Sequence, residues 1–292
     1  MDSKEGKCMI EIGKYAGFCG GVINSVVKSE KALKDYSNLY CLGELVHNKQ
    51  VVESLEEKGL VFVESLDEVE NQSNVIIRAH GVPVEVYEEA KKRGIHLIDL
   101  TCPKVLKIHD EVKEYSESGY SIILVGSKKH PEVIGTISFA GEDSVVVETM
   151  DDLKEVINNW KDKDKIAVFA QTTYSVKAFE EMKTLLQSEL NKSELVIRNT
   201  ICDATSLRQE ECKNMAKEKD CMIIIGGKNS SNTKKLYEVA KEYCKNTYII
   251  ETIEDLNLED MKSYHNIGIM AGASTPKESI EEVFNNLQNL KK

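Results

Sequence analysis

The chain repeats one pattern three times, and that repeat constrains its fold more than any single motif. With Cys19, Cys102 and Cys202 as origins, each copy opens on a helix-like stretch: VINSVVKSEKALKDY, PKVLKIHDEVKEY and ATSLRQEECKNMAKE. A short apolar strand follows (LYCLG, IILVG, MIIIG) and ends in glycine 24 residues after the cysteine, at Gly43, Gly126 and Gly226. Four residues later stand His47, His130 and Ser230. Next, VFVESLDEV, VVVETMDDL and YIIETIEDL each give a strand, a Glu, a Ser or Thr suited to capping, and an acidic first turn. Another strand then runs into a polar loop of small residues (IIRAHGVP, AVFAQTTYS, GIMAGASTP) that carries His80, Thr172 with Thr173, and Ser274. The strands IHLIDLTC and LVIRNTIC lead into the next cysteine, and MIEIG precedes the first.

Strand and helix in close alternation require parallel pairing, because a parallel crossover needs a helix. The expected fold is α/β: three pseudo-symmetric lobes, each a small, mainly parallel sheet with flanking helices. The lobes are expected at residues 20–101, 102–200 and 201–292, the last completed by an N-terminal strand from 8–18. Parallel strands place their C-terminal ends on one edge, where ligands bind. The cysteines, the residues four past each glycine and the polar loops all follow strand ends. Three such rims facing one another would gather three cysteines and six loops.

Composition narrows the chemistry. The net charge of −11 argues against a nucleic-acid partner, which needs a basic face. No apolar run reaches the roughly 20 residues of a membrane span, and the N-terminus lacks a signal-peptide core. A cytoplasmic protein is expected, in which disulfides are rare. The eight cysteines contain no CxxC pair, so neither a zinc finger nor a thioredoxin motif is supported. Thiols that open helices sit at the positive end of the helix dipole, which favours thiolate. Three thiolates suit an iron–sulfur cluster with one iron left open, or zinc with a fourth ligand. Cys8, Cys41, Cys212, Cys221 and Cys244 have no repeat partners and are expected to be inert.

His47, His80 and His130 are candidate binding groups, and Glu132 is a candidate general acid. GGKNSSNTKK (226–235) and AGAST offer hydroxyls, amides and helix N–H groups that can seat a phosphate or simply cap helices. Together these features fit reduction of a small phosphorylated compound.

GFCGGV, ELVHNK, RAHGV, DLTCP, GSKKHPEV, QTTYS, ICDAT, KNSSN and AGAS, in this order, resemble the 4-hydroxy-3-methylbut-2-enyl diphosphate reductase family of the non-mevalonate isoprenoid pathway. The resemblance spans residues 9 to 285. It implies three lobes around a central [4Fe-4S] cluster, one per chain, held by Cys19, Cys102 and Cys202, whose open iron binds the substrate hydroxyl. It implies reductive dehydroxylation of the allylic diphosphate to isopentenyl and dimethylallyl diphosphate, with ferredoxin or flavodoxin as donor. His47, His80, His130, Ser230, Ser231, Asn232 and Ser274 would hold the diphosphate, Thr172 would hydrogen-bond the substrate hydroxyl and Glu132, Thr173 would line the substrate, and Glu132 would supply protons, with Thr172 and His130 as further catalytic groups. Tyr174 departs from the family, where Leu is familiar, and Gly20 stands where Ala is common. The alternatives are a non-enzymatic iron–sulfur sensor or phospho-ligand binder on the same scaffold, a three-cysteine zinc hydrolase, and a purely structural protein.

Overall fold

The structure, a computed structural model, describes residues 9–290. Cys8 and residues 291–292, which belong to the expected third lobe, lie outside them. The chain starts with β1 (Met9–Ile12). The first repeat holds α1 (Gly20–Asp35), β2 (Leu39–Leu42), α2 (Lys49–Glu57), β3 (Val61–Val63), β4 (Asn74–Ile77), α3 (Val84–Arg93) and β5 (His96–Asp99). The second holds α4 (Pro103–Glu117), β6 (Ser121–Val125), α5 (Pro131–Ile137), β7 (Ser144–Val147), α6 (Met150–Trp160), β8 (Lys165–Ala170), α7 (Val176–Glu189) and β9 (Glu194–Ile197). The third holds α8 (Asp203–Glu218), β10 (Cys221–Ile225), α9 (Ser231–Tyr243), β11 (Thr247–Ile250), α10 (Leu258–Met261), β12 (Asn266–Ala271) and α11 (Lys277–Leu290).

These strands form three four-stranded sheets, ordered β3-β2-β4-β5, β7-β6-β8-β9 and β1-β12-β10-β11, and every pairing is parallel. In the third sheet β1 takes the place that β5 and β9 hold in the others, with Met9 beside Asn266 and Ile12 beside Ile269. The central strands SIILV and CMIII are buried throughout, as expected for sheets covered by helices on both faces. The second sheet packs Ile123, Val168 and Phe179 on one side and Ile122, Leu124 and Phe169 on the other. Tyr174, the departure from the family, is buried in the first of these clusters and its hydroxyl donates to the Glu148 carbonyl at 2.7 Å.

The repeat is visible bond by bond. The N–H groups of Gly43, Gly126 and Gly226 donate to Val63, Val147 and Ile250 carbonyls at 2.7, 2.9 and 2.9 Å. The carboxylates of Glu68, Asp152 and Asp255 each accept two N–H groups from the residues three and four positions earlier. Only the middle copy grows into a full helix, α6; the others are single 3-10 turns at Leu66–Glu68 and Ile253–Asp255. The first turn is closed off by Arg93, whose guanidinium takes the Leu66 carbonyl at 2.8 Å, and the third by Asn257, which caps α10 instead.

The chain divides into two compact units. One comprises the segment up to Gly20, His47–Val51 and the chain from Asp203, and contains the third sheet; the other comprises Gly21–Val46 and Val52–Cys202, with the first and second sheets. Within the latter, the segment after His80 runs along α5. A Cβ on Gly135 would lie 3.3 Å from the Val82 backbone, so a side chain there would make this approach tight and push the segment back by a few tenths of an ångström. Val84 N–H donates to Ser138 Oγ at 2.9 Å, and His109 stacks on Phe139 at 4.4 Å. Among the described residues no helix is long and apolar enough to cross a membrane.

Candidate active site

All three repeat cysteines follow a fourth strand or its equivalent after a short irregular segment and immediately precede a helix. Each is tied by its main chain to the loop after the third strand. Cys102 N–H donates to Ala79 O at 3.0 Å, Cys202 N–H to Thr172 O at 3.0 Å, and Cys19 N–H to Ala273 O at 3.1 Å. The N–H of the same loop residue points the other way, to Leu45 O from Ala79, to the Glu132 carboxylate from Thr172 and to Asn232 Oδ1 from Ala273. In the second and third repeats one loop residue thus joins a cysteine to a candidate site residue.

In the unit of the first two repeats, His130 caps α5. Its Nδ1 accepts the Glu132 N–H at 3.2 Å, which assigns the proton of the neutral ring to Nε2. Pro131 at the first helical position has no N–H to waste. The His80 ring lies edge-on to the His130 ring, with centroids 5.4 Å apart. Glu132, expected at a rim, is only 3% exposed. Its Oε1 accepts the Thr172 N–H and its Oε2 the Thr172 hydroxyl, both at 2.6 Å. Burial pushes the Glu132 carboxyl up, and the two Thr172 bonds offset that only in part. Thr173 stands apart from this pair: its Oγ1 accepts from Gln171 Nε2 at 3.0 Å.

In the other unit, a Cβ on Gly227 would come within 2.6 Å of the His47 carbonyl oxygen, so the 47–51 segment rests on bare backbone. Ser274 Oγ donates to that carbonyl at 3.0 Å, which spends its proton there. Ser230 caps α9, accepting the Thr233 N–H at 3.3 Å, and Ser231 is the first residue of that helix. Asn232 is 3% exposed; its Oδ1 holds Ala273 N–H at 3.1 Å, while Nδ2 is buried with no hydrogen-bond partner. A buried amide donor without a partner is costly, and an anionic oxygen would satisfy it.

The thiols divide into two kinds. Cys19, Cys102 and Cys202 are half-buried, outside any disulfide, and sit at strand ends. Cys41 and Cys212 are buried, and desolvation pushes both thiols up to about 12, a poor state for a metal ligand. The donor set at the repeat positions therefore fits an iron–sulfur centre. Sequence reasoning missed Gln171, whose Oε1 holds Ser127 N–H at 3.0 Å while its Nε2 holds Thr173. It also missed the buried Ser25 and Arg208, although their equal offset from a cysteine was there to be read.

A family model described as LytB protein matches residues 10–288. The 4-hydroxy-3-methylbut-2-enyl diphosphate reductase of Clostridioides difficile (strain 630) is 43% identical over 282 residues, covering 96% of this chain and 99% of that protein. The solved E-1-hydroxy-2-methyl-but-2-enyl-4-diphosphate reductase of Plasmodium falciparum superposes with a TM-score of 0.92 at 31% identity, covering 97% of this chain and 89% of that one. A solved (E)-4-hydroxy-3-methyl-but-2-enyl diphosphate reductase, described as the terminal enzyme of the non-mevalonate pathway, is 41% identical with a TM-score of 0.69, covering 97% and 99%. Sequence, strand order and the repeated cysteine corners agree: this chain belongs to the LytB family of 4-hydroxy-3-methylbut-2-enyl diphosphate reductases.

Proposed function

We propose that the protein removes the hydroxyl of (E)-4-hydroxy-3-methylbut-2-enyl diphosphate to give isopentenyl and dimethylallyl diphosphate. The observation that carries this reading is the buried Glu132–Thr172 pair, built on the peptide that also holds Cys202. The carbon–oxygen bond breaks, two electrons and two protons enter, and water leaves. Cys19, Cys102 and Cys202, one from each repeat, would hold one [4Fe-4S] cluster among three lobes (residues 20–101, 102–200, and 201–292 with the strand from 8–18). When bound, this group supplies the electrons one at a time and Lewis acidity at an open iron. A ferredoxin- or flavodoxin-type carrier is the source of the electrons.

The remaining work falls to side chains. Burial pushes the Glu132 carboxyl up, which favours the protonated form that a proton donor needs, and the Thr172 hydroxyl can pass a proton on because it can donate and accept. The protonated Nε2 of His130, with His47 and His80, faces the diphosphate; Ser230, Ser231 and Asn232 at the start of α9 add hydroxyl, amide and main-chain donors. Thr173 lines the substrate through Gln171. Ser274 must release the His47 carbonyl before its hydroxyl reaches a phosphate.

Anaerobic iron and sulfide analysis with a turnover assay tests the reading. About four irons and four sulfides per chain are expected, with both C5 products formed. Cys102→Ser should lose the cluster. One zinc and no iron would favour a hydrolase, and a full cluster without turnover would favour a sensor.

A further inference from the structure

The turn after the third strand has one shape in all three repeats. Gly81, Tyr174 and Thr275 N–H donate to the carbonyls of Arg78, Gln171 and Gly272 at 3.0, 3.0 and 3.1 Å. The side chain at the donor position differs. Gly81 has none. Thr275 Oγ1 donates at 3.0 Å to the Ile225 carbonyl, at the end of the neighbouring strand β10. The Tyr174 hydroxyl goes one strand farther, to the Glu148 carbonyl at 2.7 Å, just past β7.

The sheet order β7-β6-β8 puts β6 between the two ends of that bond. Parallel strands end on one edge, so the phenol crosses the end of β6. Its ring, 7% exposed, packs in a cluster with Val125, Val147 and Ala170, the last residues of β6, β7 and β8. The chain that leaves β6 there is the turn into α5, at whose start stand His130 and Glu132. That turn is held from both flanks. On the β8 side Gln171 Oε1 accepts Ser127 N–H at 3.0 Å; on the β7 side the Glu148 carboxylate accepts Lys128 N–H at 3.2 Å. Tyr174 ties the flanks to each other. In the third repeat Glu251 accepts Lys228 N–H at 2.6 Å, but the counterpart of Gln171 is Gly272, which has no side chain to offer.

We propose that Tyr174 is a positioning residue: its hydroxyl straps the turn 126–130 beside the Thr172 loop and so sets the contact between Glu132 and Thr172. This rests on the proton path proposed through that pair. Thr172 meets Glu132 with both its N–H and its hydroxyl at 2.6 Å, and two short bonds to one carboxyl tolerate little drift. The strap takes no part in the reaction itself. It fixes where the proton donor stands, and a displacement of about 1 Å can cost up to about 10²-fold in rate.

Hydrogen exchange of the metal-free chain tests the strap, and kinetics of the reconstituted enzyme test its use. Tyr174→Phe keeps the ring and deletes the bond. Segments 126–134 and 171–176 should then exchange about tenfold faster, while 226–234, the matching turn of the third repeat, keeps the parent rate. Faster exchange in all three segments alike, or in none, would overturn the strap. Should Tyr174→Phe fail to fold, Glu148→Ala takes its place, because it releases the Lys128 N–H from the β7 flank. Segment 126–134 should loosen in it and 226–234 should not; parent-like exchange in 126–134 would overturn the strap. In the reconstituted enzyme Tyr174→Phe should lower kcat about tenfold with KM within about twofold of the parent. Made on top of Thr172→Ala, it should lower kcat by less than about twofold further, because the hydroxyl it positions is already gone. An unchanged kcat, or the full tenfold loss in both backgrounds, would overturn positioning through Thr172. A reconstituted parent without reductase turnover would overturn the proton-path reading, while the exchange measurement still decides the strap.

Discussion

Glu132 with Thr172 and Asn232 with Ala273 occupy the same corner in successive repeats. In both, the residue two past the start of the capping loop reaches the main chain after the third strand, and that main chain holds a cysteine. The second repeat puts a carboxyl and a hydroxyl there; the third puts an amide and a methyl. The first uses the corner for neither, because Ala79 N–H goes to the Leu45 carbonyl. Backbone geometry is shared, so the chemistry is set by what hangs from it: on the reading proposed above, a proton store in one copy and a hydrogen-bond donor to an anion in the other.

Swapping chemistry between the corners tests this most strongly at Glu132. Glu132→Gln should keep the Thr172 bonds and the fold yet lose about 10²- to 10⁴-fold in kcat, the usual worth of a general acid. A variant within threefold of the parent would remove Glu132 from proton delivery. The opposite exchange, Asn232→Asp, sets a carboxylate beside the diphosphate. KM should rise about 30-fold with a smaller change in kcat, from a lost donor and like-charge repulsion of about 2 kcal/mol; an unchanged KM would detach Asn232 from the anion.

Thr172→Ala makes the second corner resemble the third. It keeps the main-chain bond to Glu132 and deletes the hydroxyl, so kcat should fall about tenfold, with recovery in Thr172→Ser. Equal loss in both variants would show that packing, not the hydroxyl, matters. The smallest effect is on stability. A carboxyl whose folded value lies above its unfolded value of about 4.3 contributes stability below that pH and loses it as pH rises through the folded value. Glu132→Gln escapes that loss. The Tm of the metal-free variant, relative to the parent, should therefore climb by about 2–4 °C between about pH 5 and pH 8. A flat difference would mean that the buried carboxyl is not strained by its charge.

Much of this was legible in the residues because parallel strands buried on both faces leave unbroken Val and Ile runs, and because Gly43, Gly126 and Gly226 mark equivalent turns. The cysteine corners were legible only as positions. That Glu132 pairs with Thr172, 40 residues away in sequence, followed from the family resemblance and not from spacing, which placed Glu132 only at the rim. The contact of Arg208 with the Gly17 carbonyl was harder still: it spans 191 residues, and an arginine in a helix looks like an exposed one until its equivalents, Ser25 and Ile108, prove buried. The three acidic caps read alike, but Arg93 and Asn257 decide where two of them stop, and neither lies inside the repeated motif.

The place of β1 has a consequence for biosynthesis. Met9–Ile12 are synthesised long before Asn266–Ile269, with which they pair, and Cys19 is not anchored until Ala273 follows. A nascent chain therefore carries an orphan strand and a loose thiol through almost all of translation. On the reading proposed above, any centre that needs Cys19 in place would be loaded only after the third sheet has closed.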